Sequence, residues 1–324
     1  MKDVTIVLQG RVNPEQMELW KKNYKDWNVI VSTWEDVDFD FNGGIFSKWL
    51  PKKWKLIINK YPLVRFRPQA NLDYQIITTL SGLNEVKTKW VIKARCDEYW
   101  SNLDKVIDKI KKHPEKIVCS SMYFRKWGLY KFHISDKIIA GNIDNLKLMF
   151  ESTLHNLDLN FYSSSIPESQ LGLGYIVAKE PQLDLEDLSY RLNLELLGVK
   201  ESDSVITKDE VSEAITKIMN HSVNIFSEHL TLDSKNIEWD VIKNKMELIS
   251  SISSYCINKL EKNKYKPFDD KKLMKKWFEI IDINELKPYV CTRQKGIRGS
   301  GDRIWFRDNF DNEKEDSMTN IHQD

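Results

Sequence analysis

Short apolar runs alternate with helical periods through the first half of this chain, and that alternation limits the fold more than any other feature. "VTIVLQG" (4–10) is a short β run closed by Gly10, and Pro14 then opens a helix that puts Met17, Trp20 and Tyr24 on one face. "NVIVSTW" (28–34) is a second strand, followed by the polar, glycine-ended loop 35–44. Residues 54–60 have a helical pattern, and "LVRF" (63–66) is a brief strand before Pro68. Ile76, Leu80 and Leu83 mark an amphipathic helix over 71–86, and "WVIKA" (90–94) is a strand. A helix near 102–112, a strand "KIVCSS" (116–121) and a turn–strand–helix over 133–150 complete the series. Such β-α-β-α order requires a parallel or mixed sheet covered by helices, an α/β fold.

After about residue 180 the texture changes. Residues 184–197, 208–219, 239–262 and 269–280 favour helix, with only short β-like pieces such as "VNIF" (223–226). The expected organisation is an α/β domain over 1–180, a mostly helical region over 181–310 and a polar, disordered tail over 311–324.

Composition removes several functions. The formal net charge is +1 with 30% charged residues, so no charge excess points to nucleic acid. No apolar run is long enough for a membrane span or a signal peptide, which leaves the cytoplasm as the expected compartment and peripheral membrane contact as compatible. None of the four cysteines is spaced C-x-x-C, so neither a zinc ribbon nor a disulfide framework is indicated.

The sharpest local feature is "WVIKARCDEYW" (90–100), a core strand that carries Lys93 and Arg95 on one face and ends in Asp97 and Glu98. Adjacent carboxylates at a strand end suit a hard divalent cation such as Mg²⁺ or Mn²⁺ on a diphosphate. The competing reading is a polar turn in which Asp97 caps a helix. In "LQGRV" (8–12), Gly10 lets backbone N–H groups approach a ligand and Arg11 can pair with phosphate. Thr33 and Trp34 end the second strand at the same edge, with Trp34 either a nucleobase platform or core. Asn71 occupies a helix N-cap position, and Gln75 reaches the ligand side if that helix starts at the sheet's carboxyl edge. His133, Ser135 and Asp136 in "HISD" fit hydroxyl recognition or base chemistry, or a buried structural role. Glu168 in "SIPES" forms a capping box with Ser165, or serves as a base.

Taken together, "TIVLQGRV" (5–12), "VIVSTW" (29–34), "NLDYQIITTLSGL" (71–83), "WVIKARCDE" (90–98), "HISDKIIAG" (133–141) and "PE" (167–168) resemble the WavE family. Those proteins are associated with bacterial lipopolysaccharide core synthesis and are taken to be glycosyltransferases of GT-A-like fold. The resemblance covers about residues 3–180. It implies a Rossmann-like mixed sheet, flanked by helices, that binds a nucleotide sugar, with a glycan or glycolipid acceptor. Gln9, Gly10, Arg11, Thr33 and Trp34 would line the nucleotide side, with Asn71, Gln75 and Arg95 also on the donor. Asp97 would stand where GT-A enzymes carry the metal-binding acid, with Glu98 as its partner, although Cys-Asp-Glu replaces their D-x-D. Arg95 or Lys93 would share in neutralising the diphosphate. Lys93, His133 and Ser135 would meet the sugar or acceptor, and Glu168, then Asp136, would be the base of an inverting transfer. Two alternatives stand beside this: a sugar nucleotidyltransferase, and an inert sugar- or nucleotide-binding interaction protein.

Overall fold

A computed structural model describes residues 3–35, 46–61, 72–122, 131–158, 167–196, 268–286, 288 and 289, together with positions 209 and 213. The predictions for 35–44 (beyond Glu35), 63–66, 208–219 and 239–262, the short piece 223–226, the tail, and the capping roles of Asn71 and Ser165 lie outside the described residues.

The main sheet has seven strands in the order β3-β2-β1-β4-β7-β6-β8. They are β1 (Val4–Gln9), β2 (Asn28–Trp34), β3 (Lys55–Asn59), β4 (Trp90–Arg95), β6 (Ile117–Ser120), β7 (Ile138–Asn142) and β8 (Phe278–Ile281). β7 pairs antiparallel with both β4 and β6, and every other pairing is parallel. The fold is therefore a mixed α/β sheet flanked by helices. A two-stranded sheet joins β5 (Tyr99–Trp100) to β9 (Pro288–Tyr289), directly after the β4 turn.

β1 is buried along its whole length, as a central parallel strand covered on both faces must be. One face packs on α1 (Pro14–Tyr24) and α4 (Leu103–Lys112), where Ile6, Leu8, Ile92 and Ala94 meet Met17, Trp20 and Val106. The other face packs on α3 (Leu72–Asn84), α5 (Ile143–Asp158) and α6 (Pro167–Lys179), where Val7 and Val91 meet Ile76, Leu83 and Leu146. The remaining helices are α2 (Phe46–Trp49), α7 (Leu185–Leu196), α8 (Lys271–Trp277) and α9 (Ile283–Leu286).

Three sequence expectations are corrected. Residues 55–59 form the edge strand β3 and not a helix, because they pair in parallel with β2 from Ile30 to Trp34. The helix expected over 269–280 stops at Trp277, and Phe278–Ile281 returns to the sheet beside β6. Asp97 does not cap a helix: it lies in the turn before β5, and the residue preceding α4 is Asn102.

α6 sits unusually close to the chain beneath it. A Cβ built on Gly172 would lie 2.9 Å from the Phe132 carbonyl carbon and closer still to its oxygen. Phe132 itself has φ 55°, a left-handed conformation that costs a bulky residue about 1–2 kcal/mol. It is held there by a bond from its backbone N–H to Asp270 Oδ2 at 2.5 Å and by its ring on Phe268.

Candidate functional site

The chain winds outward from β1 to β2 to β3, then crosses back to lay β4 on the other side of β1. In open α/β sheets such a reversal opens a crevice at the carboxyl ends of the two strands that flank it. Here that point lies between β1 and β4, where Gln9 is in register with Arg95. The Cys96 N–H donates to the Gln9 carbonyl at 2.9 Å, and the Gly10 N–H donates to the Ser32 carbonyl at 3.0 Å. Gly10 turns with φ 93°, which only glycine adopts without strain, and a Cβ there would meet nothing within 4 Å. Gly10, the end of β2 and Asp97 thus share one edge.

Helix α1 holds the turn that follows β4. Trp20 Nε1 donates to the Glu98 carbonyl at 2.6 Å, and the Tyr24 hydroxyl donates to the Trp100 carbonyl at 2.8 Å. The rings of Trp20 and Tyr99 pack edge to face. The apolar stripe of α1 therefore seats the turn as well as filling the core.

Around that turn six charged groups interlock. Arg95 donates from Nε and Nη2 to the two carboxylate oxygens of Asp97, each at 2.8 Å, a bidentate fork. Its Nη1 lies 3.5 Å from Asp136 Oδ2, and its Nε lies 3.7 Å from Glu98 Oε1. Lys137 Nζ pairs with Glu98 Oε1 at 2.8 Å. Lys93, fully buried, donates to the Asp136 carbonyl at 2.5 Å, and Gln75 Nε2 donates to Asp136 Oδ2 at 3.2 Å. Three cations (Lys93, Arg95, Lys137) thus face three carboxylates (Asp97, Glu98, Asp136) across the ends of β4 and β7.

This balance sets the protonation states. Burial pulls the Lys93 ammonium down to about 8, against the opposing pull of Asp136. Burial opposes ionisation of Asp136, but Lys137, Lys93 and Arg95 outweigh it and hold that carboxyl well below its usual range. Burial likewise disfavours the Asp97 anion, and the Arg95 hydrogen bonds reverse the effect. Burial raises the Glu98 carboxyl in spite of Lys137 and Arg95. Asp136 is therefore ionised but a weak base, because three cations stabilise the form that would accept a proton.

A pH prediction follows from Lys93. Between about 8 and its ordinary value of 10.5, the unfolded chain binds a proton that the folded protein has released. Stability from this group therefore rises with pH across that window. Lys137 does not cancel the effect there, because Glu98 raises its folded value above 10.5, so its loss comes at higher pH. Arg95 and Asp136 keep their charges throughout the window, whereas burial raises the thiols of Cys96 and Cys119, which pulls total stability the other way as pH rises. The stability of wild type relative to Lys93→Met is therefore expected to rise between about pH 8 and 9.5 in urea denaturation. A difference between the two proteins that stays constant over that range would show that Lys93 titrates normally.

The remaining expected site residues divide. Gln9 is buried, and its Oε1 accepts from Thr78 Oγ1 at 2.9 Å. Gln75 lies on the sheet's carboxyl side, as its bond to Asp136 requires. Arg11 is exposed beyond Gly10. Thr33 is buried, and its carbonyl accepts from Asn59 Nδ2. Trp34 is buried too, with its ring stacked on Tyr61 at 4.6 Å and 8° and the edge of Tyr74 against it. Tyr61 and Tyr74, both partly exposed, are the accessible members of that trio. His133 and Ser135 are buried, and the Ser135 hydroxyl donates to the Met122 carbonyl at 2.6 Å, which makes it a strut within the fold. Glu168 is half-buried in the first turn of α6, four residues from Gly172. Lys137, Thr78, Tyr61 and Tyr74 were not singled out from sequence. Tyr61 closely follows the carboxyl end of β3, and Thr78 lies three residues from Gln75 on α3, so position alone pointed to both.

The expected divalent cation fares poorly against this donor set. Both Asp97 oxygens are taken by Arg95, and Glu98 and Asp136 are paired with Lys137 and Arg95. Among the described residues, no group of three or more His, Cys, Asp or Glu side chains is arranged to hold a metal ion. As they stand, these residues do not fit a resident cation. Among the described residues, no helix is long and apolar enough to cross a membrane.

No protein-family model matches the chain, and no curated protein matches it. The likeness to the WavE family accordingly rests on the motifs quoted for it. Among solved structures, the crystal structure of HddC from Yersinia pseudotuberculosis is similar over 45% of this chain and 79% of that one, at 12% identity and a TM-score of 0.30. A likeness that slight carries no functional assignment.

Proposed function

We propose that this chain is a cytoplasmic glycosyltransferase of GT-A-like fold, which moves a sugar from a nucleotide-sugar donor to a hydroxyl of a glycan or glycolipid. The observation that carries the reading is the crevice between β1 and β4, with a glycine-turned loop on one side and an arginine fork on the other. The single reversed strand β7 and the two-stranded sheet directly after the β4 turn support the GT-A-like assignment.

In this reading the donor diphosphate lies between the Gly10 loop and Arg95, and the base leans toward Tyr61 and Tyr74. Arg95 stabilises the charge that builds on the departing diphosphate, the kind of preorganised electrostatic help that typically supplies about 3–4 kcal/mol. Asp136 holds the Arg95 plane and stays ionised, which leaves Glu168 as the base that removes the acceptor proton. No step is routed through a metal ion.

The test is a thermal-shift panel of nucleotides and nucleotide sugars, with and without Mn²⁺. A donor at a hundred times its Kd should add about 2.7 kcal/mol of stability. Slow release of free sugar from the stabilising donor is the expected companion result. Stabilisation without any turnover would favour an inert binding protein. Formation of a nucleoside triphosphate from the donor and pyrophosphate would favour a sugar nucleotidyltransferase. No shift with any nucleotide would remove the reading.

A further inference from the structure

We propose that the Arg95 fork is a phosphate-binding site whose place Asp97 fills in the structure, so that a diphosphate binds by exchanging with Asp97 and needs no divalent cation. That the diphosphate belongs to a nucleotide rests on the function proposed above; the anion exchange does not.

The geometry of the fork is the first observation. Nε and Nη2 present two parallel N–H groups, now bonded to the two Asp97 oxygens at 2.8 Å each. Two oxygens of a phosphate group match the same donors. Accessibility is the second. The Arg95 and Asp97 side chains are 30% and 21% exposed, whereas those of Glu98, Asp136 and Lys137 are all 9% or less. Asp97 is thus the one carboxylate of the cluster that solvent or a ligand reaches readily. Preorganisation is the third. When Asp97 leaves, Nη1 still faces Asp136, which Gln75 braces and whose carbonyl Lys93 holds. The guanidinium therefore keeps its plane at the end of β4, where Arg95 is in register with Gln9, without rebuilding the site.

Charge favours exchange over addition. Pyrophosphate carries more negative charge than the single carboxylate of Asp97, so the exchange adds anion where Lys93, Arg95 and Lys137 gather. A divalent cation entering alone would add two charges beside Lys93, Arg95 and Lys137, in a site partly shielded from water. Asp97 is on this account a competitor for the site and not a metal ligand, and the two roles predict opposite signs for its removal.

The test is isothermal titration with inorganic pyrophosphate, in EDTA and again with Mn²⁺, on wild type, Asp97→Asn, Arg95→Lys and the double variant. Asp97→Asn is expected to bind about tenfold tighter or more than wild type, since a charge-assisted bidentate pair is freed for the ligand. Arg95→Lys and the double variant are expected to bind at least about tenfold more weakly than Asp97→Asn, because lysine keeps the charge but lacks the fork. Equal binding by Asp97→Asn and the double variant would reduce the effect to general charge and overturn the proposal. So would unchanged or weaker binding in Asp97→Asn, or loss in that variant of a Mn²⁺-dependent binding that wild type shows. Should Asp97→Asn fail to fold, the wild type decides: its binding in EDTA must fall in Arg95→Lys. If pyrophosphate behaves as expected while no nucleoside diphosphate binds, the phosphate site stands and the nucleotide-sugar reading falls.

Discussion

Gly172→Ala is expected to destabilise the protein by about 3 kcal/mol or more, a large part of what a typical domain has. An overpacked side chain can usually rotate away, but here the obstacle is backbone. The new Cβ would lie 2.9 Å from the Phe132 carbonyl carbon and 3.3 Å from its Cβ. Phe132 cannot yield cheaply, because its N–H is bonded to the buried Asp270 and its ring is stacked on Phe268. Gly174→Ala should behave similarly, since its Cβ would meet the Thr153 backbone N at 2.7 Å and Cα at 2.8 Å. Gly82→Ala is the internal control. Its nearest obstacle is Val7 Cγ1, the tip of a side chain. Urea midpoints followed by circular dichroism would rank the three variants. A Gly172→Ala protein within about 0.5 kcal/mol of wild type would mean that α6 is not seated on Phe132 as described.

How much of this was legible in the sequence depended on whether the deciding interaction was local. β1, β2 and β4 could be found from their apolar runs, because a parallel strand covered on both faces has nothing polar to hide. β3 could not: at the sheet edge its Lys55 and Ile58 are exposed, and a half-covered strand of mixed pattern looks like a helix turn. β8 follows α8 with no glycine or proline between them, and only its pairing with β6, more than 150 residues earlier, makes it a strand. The site shows the same divide. Alternation along β4 put Lys93 and Arg95 on one face and the acids at its end. Which acid would meet which cation depended on Asp136 and Lys137, some 40 residues on, and on a reversed strand that no local pattern announces. From its place at a strand end Trp34 could be either platform or core, and Tyr61, just past the end of β3, stacks on its face.

Glu168→Gln is expected to lower sugar transfer by about 10²-fold or more while leaving donor binding and stability nearly unchanged. Asp136, the other carboxylate proposed as a base, is stabilised as an anion by Lys137, Lys93 and Arg95, which weakens its hold on any incoming proton. Glu168 lies in the first turn of α6, away from those cations in sequence and half-exposed to solvent. Four residues separate it from Gly172, so both fall on one helix face about 6 Å apart, and Gly172 is the point at which α6 meets the chain leading into His133, Ser135 and Asp136. A base mounted this way rides on a helix that is rigidly seated one turn further along. Glutamine keeps the shape and hydrogen-bonding capacity of the side chain but cannot accept a proton, so a structural role would tolerate it. The kinetic signature should be a fall in kcat with KM for the donor unchanged, and loss of the acidic limb of the pH–rate profile. Near-wild-type turnover in Glu168→Gln, combined with a lower melting temperature in Glu168→Ala, would make the residue part of the helix start alone. The transfer would then have to proceed without this base, as a reaction that retains the sugar's configuration does.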